Sequence, residues 1–331
     1  MKRIFMYGFF IVCAVGILMN PKVIKLKPES EVEPEEEIVA AQNATMSSVP
    51  IQNCHFASIQ GRRSYQEDRV TCDLDLKIPL SGRNDGLEEV NVGVVAVFDG
   101  HIGSAASEMA SRLFLDKFLQ RKNYGEQSSN HMEFLKSSLV KTIEEIDAEF
   151  TKLAIEYELY SGSTAVVALI YNKKRVLVAN VGDSKAFICS RKLQLLEAKE
   201  LTEDHNAYRV DERARVEASG GKFKFPPNYV PLLMGHFPMT RAIGDVPLKK
   251  YGIIATPEVT DWLNLTSKDE FLVVASDGIF ESLSPQEVCD FLYEAEDYSD
   301  STFLAQQIVQ KAFLEGSTDN LSVVLVPLGS K

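Results

Sequence analysis

The sequence predicts an α+β fold in which antiparallel sheets carry helices on their outer faces. Short apolar runs recur at strand length: Val92 to Phe98, Thr164 to Ile170, Val176 to Val181, Phe271 to Ala275 and Leu321 to Val326. Several are apolar at every position rather than at every second one, so both faces of those strands are covered. Other segments keep a helical period, and they fall in pairs between groups of strands instead of after each strand. That disfavours a doubly wound parallel sheet.

Taken in chain order, His55 to Gln60 opens the folded part as a strand, followed by the run ending at Phe98. Ala106, Met109, Ala110 and Leu113 then follow the i, i+3, i+4, i+7 spacing of a helix with one buried face. The Ser/Asn stretch at 127–130 reads as a loop between helices. Leu135, Leu139, Ile143, Ile146, Phe150 and Leu153 mark a long amphipathic helix, and Ala305, Ile308, Val309 and Ala312 mark another before the last strand.

The ends differ from this body. Lys2 and Arg3 precede an uncharged stretch from Ile4 to Met19, and Lys22, Lys25 and Lys27 follow it. Sixteen apolar-leaning residues are short for a membrane span and long for the core of a signal peptide. Residues 1–27 therefore read first as a signal anchor, giving a single-pass membrane attachment, and second as a cleaved leader. Basic residues on both sides leave the orientation open. Pro28 to Glu37, PESEVEPEEE, cannot bury a core, so 28–50 is an acidic flexible linker and 51–331 the folded domain.

With 331 residues, 45% hydrophobic and 25% charged, the chain can build a sizeable core. Its 47 acidic residues against 35 basic ones, net −12, repel nucleic acid and anionic lipid and exclude nucleic acid as a default partner. The five cysteines, Cys13, Cys54, Cys72, Cys189 and Cys289, show no C-x-x-C pair. They are expected to be reduced, mostly buried thiols, which favours a cytosolic catalytic domain. Asn43-Ala44-Thr45 and Asn264-Leu265-Thr266 match a glycosylation tripeptide that matters only in a lumen, and both are read as chance.

The chemistry lies where apolar runs stop. Phe98-Asp99-Gly100-His101, Val181-Gly182-Asp183-Ser184 and Ala275-Ser276-Asp277-Gly278 each end a strand in an aspartate; Thr318-Asp319-Asn320 opens the last strand, and Glu67-Asp68 follows the first. One Asp-Gly is ordinarily a turn, but several carboxylates on rigid strand ends would repel one another unless a cation neutralised them. Oxygen-only ligands select magnesium, manganese or calcium. Five histidines without a paired motif make zinc a poor fit. Gly100 would let the chain turn and offer a carbonyl. Arg63, just before Glu67 and Asp68, suits a phosphate, because its planar fork can grip two oxygens. His101 could serve as a general acid.

In order and spacing these segments resemble the type-2C metal-dependent protein phosphatases, in a form similar to plant members. The resemblance runs over Gly61-Arg62-Arg63 to Asp68-Arg69, Val97 to His101, Ser161 to Ala165, Asn180 to Ser184, Leu201 to His205, Thr240 to Asp245, Ala275 to Gly278 and Ser317 to Asn320, nearly all of 53–328. It implies two stacked antiparallel sheets flanked by pairs of helices, in α-β-β-α layers. It also implies hydrolysis of phosphoserine and phosphothreonine by a water activated between two Mg2+ or Mn2+ ions, with no covalent intermediate. Asp99 would bridge the ions, Glu67 or Asp68 and the Gly100 carbonyl would help hold one, and Asp277 and Asp319 the other. Arg63 would bind phosphate, and His101 would protonate the leaving oxygen. The implied partners are phosphorylated proteins, met by a monomer.

The sequence also departs from the family pattern. Ile102 stands where Gly or Ala is common, and Thr240 replaces Ser. Glu281 takes the place of a second aspartate, which leaves a third ion near Asp183 and Glu281 undecided. The flap, Lys222 to Met239, diverges most, with Pro226, Pro227, Pro231 and Pro238. The single tryptophan, Trp262, lies outside it, so the flap tryptophan of hormone-receptor-regulated plant members is missing. Two other readings remain: a catalytically impaired phosphatase-like interaction protein, and a hydrolase of small phosphate esters.

Overall fold

The computed structural model describes residues 54–81, 86–120, 130–227, 230–295 and 300–328. The segments expected at 1–27 and 28–50 lie outside the described residues; among the described residues no helix is long and apolar enough to cross a membrane.

The chain forms β1 (His55–Ile59), β2 (Arg69–Ser81), β3 (Leu87–Phe98) and β4 (Gly100–His101), then helices α1 (Ala105–Gln120) and α2 (His131–Glu156). Next come β5 (Gly162–Ser163), β6 (Ala165–Tyr171), β7 (Arg175–Val181), β8 (Lys185–Lys192), β9 (Leu195–Glu200) and α3 (Val210–Ala218). The flap carries β10 (Phe223–Lys224) and β11 (Leu232–Leu233), followed by β12 (Ile243–Gly244) and the single turn α4 (Val246–Lys249). The last part holds β13 (Glu258–Val259), β14 (Leu263–Asn264), β15 (Asp269–Ala275), α5 (Asp277–Phe280), α6 (Pro285–Glu294), α7 (Ser301–Leu314) and β16 (Leu321–Pro327).

Two large antiparallel sheets result, one in the order β13-β7-β6-β3-β2 with β14 also on β7, the other β1-β16-β15-β8-β9, beside the small sheets β12-β5-β4 and β10-β11. Strand β3 shows why its apolar run is continuous. Val92, Val94, Ala96 and Phe98 pack under α1 and α2 with Phe114, Leu139 and Ile143. Val95 and Val97 face the opposite sheet, against Ile188, Leu272, Val274 and Val324. The other sheet turns Phe187, Val273 and Leu325 outward onto Val288 and Leu292 of α6 and Ile308 of α7. Each valine so enclosed contributes about 1.5–3 kcal/mol relative to exposure. The expected α-β-β-α layers are therefore present. Local signals start the helices: Asn130 accepts from the Glu133 N–H at the head of α2, and Ser284 with Glu287 forms a capping box ahead of Pro285 in α6.

The expectation of five reduced thiols fails. Cys54 is bonded to Cys72, and Cys189 to Cys289. The pairs lie 18 and 100 residues apart in sequence, so no local motif announces them; the sheets bring them together. The first ties the approach to β1, at the edge of one sheet, to β2, at the edge of the other. The second fastens α6 to β8 across a Cα–Cα distance of 5.5 Å. Replacing Cys189 and Cys289 together by Ala is expected to cost about 4 kcal/mol of unfolding free energy, because a long loop in the unfolded chain is set free. Urea denaturation of the oxidised proteins checks this.

Candidate active site

The strand registers gather the expected residues at one end of the sandwich. Arg69 pairs with Phe98, which sets Asp68 beside Asp99. Val97 pairs with Val166 and Ala165 with Val181, bringing the Gly182-Asp183 turn to the same end. Ala275 pairs with Val323, so Asp277, at the head of α5, meets the Asp319-Asn320 entry to β16. Asn320 then locks the loop before β2. Its Nδ2 donates to the carbonyls of Gln60 and Tyr65 at 2.8 and 2.9 Å, and its Oδ1 accepts from the Glu67 N–H at 2.8 Å.

Asp99 is the centre of the cluster. Asp99 and Asp277 keep some accessible surface at the mouth, yet protein surrounds them. Burial, then the neighbouring carboxylates, raises both well above the ordinary carboxylate range; for Asp99 those neighbours are Asp68, Asp277, Asp319 and Asp183. Asp68 is pushed up to about 6 by burial, although bonds from serines pull the other way; Ser276 Oγ donates to its Oδ2 at 2.8 Å. Asp68 Oδ1 is buried with no hydrogen-bond donor among the described residues. Burial also raises Glu67 and Asp319, although each has a donor. The Gly103 N–H meets Glu67 Oε1 at 2.6 Å, and Arg63 Nη2 meets Asp319 Oδ2 at 2.5 Å.

Among the described residues, no three His, Cys, Asp or Glu side chains already surround one point at ligand spacing. Glu67 and Asp319 are turned toward protein donors, and the remaining carboxylates repel one another. The donor set still fits a hard divalent cation: it is all oxygen, densely anionic and includes an orphaned buried carboxylate oxygen. Gly100 contributes differently from expectation. A Cβ there would stand 2.5 Å from the Glu67 carbonyl oxygen and 2.6 Å from Ser107 Oγ, so glycine permits a close approach. The sharp turn comes later, at Ile102 and Gly103, with φ of 55° and 107°. Ile102 holds a left-handed conformation that is costly for a β-branched residue, and in doing so aims the Gly103 N–H at Glu67.

His101 has a partner to which the sequence reading assigned no role. Its Nε2 lies 2.7 Å from Asp245 Oδ2, and Asp245 is 2% exposed. Burial alone would lower the His101 pKa; the charge and hydrogen bond of Asp245 outweigh it and raise it. Gly162 makes room, because any side chain at that position would collide with both groups. The His101 ring packs 5.3 Å from that of Phe237 in the flap, which ties the flap to the acid–base pair. The signal for Asp245 was present: Ala242-Ile243-Gly244-Asp245 is one more short strand ending in aspartate.

The other expected residues are less central. Glu281 accepts from the Thr318 N–H at 2.6 Å and from Ser317 Oγ at 3.1 Å, holding the turn before Asp319. Asp183 is pushed up to about 6 by burial and by Asp204, which itself pairs with Lys185. Below the flap, fully buried Glu212 gathers Arg215, Arg241 and Thr240. Burial opposes its charge, but these donors hold it well below the ordinary range. Thr240 thus supplies the hydroxyl that a serine would.

The sequence pattern described as Protein phosphatase 2C matches residues 53–321. The chain is 37% identical to "Probable protein phosphatase 2C 51" of Arabidopsis thaliana, over 84% of this chain and 71% of that protein. It is also 37% identical to "Putative protein phosphatase 2C 76" of Oryza sativa subsp. japonica, over 84% and 74%. Among solved structures, one titled "Structure of a C.elegans sex determining protein" aligns at TM-score 0.70 and 28% identity, over 88% of this chain and 70% of that one. A serine-threonine phosphatase 2C from Toxoplasma gondii shares the fold at TM-score 0.70 and 23% identity, over 85% and 96%.

Proposed function

The chain belongs to the protein phosphatase 2C family and is a protein phosphatase, and from that premise we propose that it hydrolyses phosphoserine and phosphothreonine with the help of two divalent cations. The observation that carries the reading is the gathering of Asp68, Asp277, Asp319 and Asp183 around Asp99, with Glu67 near Asp319 and with Arg63 and the His101–Asp245 pair alongside.

Asp99, Asp68, Glu67, Asp277, Asp319 and the Gly100 carbonyl would hold Mg2+ or Mn2+, which when bound lowers the pKa of a water and neutralises phosphoryl charge. Arg63, 42% exposed at the mouth, binds the substrate phosphate and positions phosphorus for in-line attack. Asp245 orients His101 through Nε2 and favours its charged form. Nδ1, which has no partner among the described residues, is then left to deliver a proton to the departing serine or threonine oxygen. The Glu281 carboxylate is taken up by the 317–318 turn, accepting from the Thr318 N–H and Ser317 Oγ, which supports two cations over three.

The test is phosphate release from a phosphothreonine peptide by the full chain in Mn2+, then in chelator, with a small phosphate ester in parallel. Cation-dependent release that favours the peptide is expected. No cation-dependent release would overturn the proposal and leave the impaired interaction protein. Attachment to a membrane through Ile4 to Met19, by a monomer, extends the same reading; carbonate extraction should separate the full chain from one lacking residues 1–27.

The clustered acids give a pH signature in the metal-free protein. Asp68 and Asp183 rise from the ordinary 3.8 to about 6 on folding. Their contribution is fully present below the unfolded value and lost as pH rises through the folded one. In chelator, Tm should therefore fall between about pH 4 and just above pH 6 on their account. A cation at about 100 times its Kd adds about 2.7 kcal/mol, or about 5 °C for a chain of this size. The gain should be larger at pH 7.5 than at pH 5, as scanning calorimetry would show.

A further inference from the structure

We infer that this domain matures in an oxidising secretory lumen and carries an N-linked glycan on Asn264. Two independent features support this. The first is the pair of disulfides. Four of the chain's five cysteines are bridged, and each bridge joins two different elements, the approach to β1 to strand β2 and helix α6 to strand β8. Cys72, Cys189 and Cys289 are at most 2% exposed, so these are structural bridges within packed layers, of the kind that forms and persists outside reducing compartments. Their closure removes two protons and two electrons per bond, which a lumenal thiol–disulfide oxidoreductase accepts.

The second feature is the environment of Asn264 in the Asn264-Leu265-Thr266 tripeptide. The residue is exposed on β14. Its Oδ1 accepts from Arg175 Nε at 2.9 Å, and its Nδ2 has no hydrogen-bond partner among the described residues. Nδ2 is the atom that takes the sugar. It attacks C1 of a lipid-linked oligosaccharide; the new N–C1 bond replaces the C1–O bond to the lipid pyrophosphate, which departs as the amide gives up a proton. Placement also suits a glycan. Asn264 pairs with Arg175 at the start of β7, whereas Asp183 follows the other end of that strand. Seven residues of strand put about 20 Å between them, so a glycan there stands clear of the carboxylate cluster.

The disulfides remove the ground for a cytosolic domain, which was the expectation of free thiols. The apolar stretch Ile4 to Met19 behind Lys2 and Arg3 has the composition of a segment that directs a chain into that lumen. On the phosphatase reading, the substrates would be phosphoproteins presented to the lumen, but the test below does not use activity and can fail independently of it.

The full-length chain is expressed in plant cells and lysed in a thiol-alkylating agent. Its peptides are then treated with PNGase A in heavy-oxygen water and read by mass spectrometry. The expected result is heavy-labelled aspartate at position 264 in most molecules, with the peptides of Cys54 and Cys72, and of Cys189 and Cys289, recovered linked and unalkylated. Asn264→Asp keeps an acceptor for Arg175, so it should lose the glycan's gel shift while Tm stays within a degree or two. Unmodified Asn264 in the parent chain, or alkylated Cys189 and Cys289, would overturn the inference.

Discussion

Asp99→Asn is expected to lower cation-dependent phosphate release by at least about 10³-fold while the domain stays folded. Asn keeps the shape of the side chain and removes one charge from the point where Asp68, Asp277, Asp319 and Asp183 all act. Losing the central ligand forfeits several kcal/mol of charge stabilisation in the transition state, and each 1.36 kcal/mol is tenfold in rate. The same change relieves repulsion among buried carboxylates, so in chelator the variant should melt no lower than the parent. The rise in Tm on adding Mn2+ should vanish. Activity without that loss of cation response would remove Asp99 from the centre of the site. A variant that simply unfolds would show a depressed Tm in chelator, which this account does not allow.

Asp245→Asn is expected to lower kcat by about 10²–10³, the usual range for a positioned general acid, with little change in KM. Aspartate occupies the left-handed region here, φ 48°, and Asn tolerates that conformation, so the backbone should hold. The loss comes from His101. With Asp245 charged, the imidazole keeps its proton to higher pH; without that charge, burial pulls the pKa down. Activity that needs protonated His101 falls as pH rises through its pKa, so the descending limb of the pH–kcat profile should move to lower pH. A purely structural role for Asp245 would lower Tm and leave that limb in place.

Much of this organisation was legible because it is written in local patterns. The strands found from apolar runs are those buried on both faces, β3, β6, β7, β15 and β16, where nearly every covered position is apolar and the exceptions, such as Asn180 and Ser322, are buried too. β9, at a sheet edge, and β8 beside it escaped because they mix charged residues with apolar ones, as in Lys185-Ala186-Phe187-Ile188-Cys189-Ser190-Arg191-Lys192, where only the inner positions are covered. α6 escaped as well, although Val288, Cys289 and Leu292 lie on its one buried face and Ser284 and Glu287 cap its start. The site acids were legible because a strand end is a fixed point in any antiparallel sheet. Asp245 matched the same pattern, but its role depends on an approach to His101 across Gly162 that no spacing encodes.

The sequence by itself determined the layered α+β class, the carboxylates at the ends of its strands and the family pattern linking them, since each follows from residue type at short separation. The tertiary structure alone decided that Asp245 rather than solvent faces His101 and that the turn beside the cluster falls at Ile102 and Gly103 instead of Gly100. It also decided that four cysteines are bonded. These depend on register and layer packing between residues 144 positions apart for His101 and Asp245 and 100 apart for Cys189 and Cys289, and contacts at that range are set by the whole core rather than by neighbours in the chain.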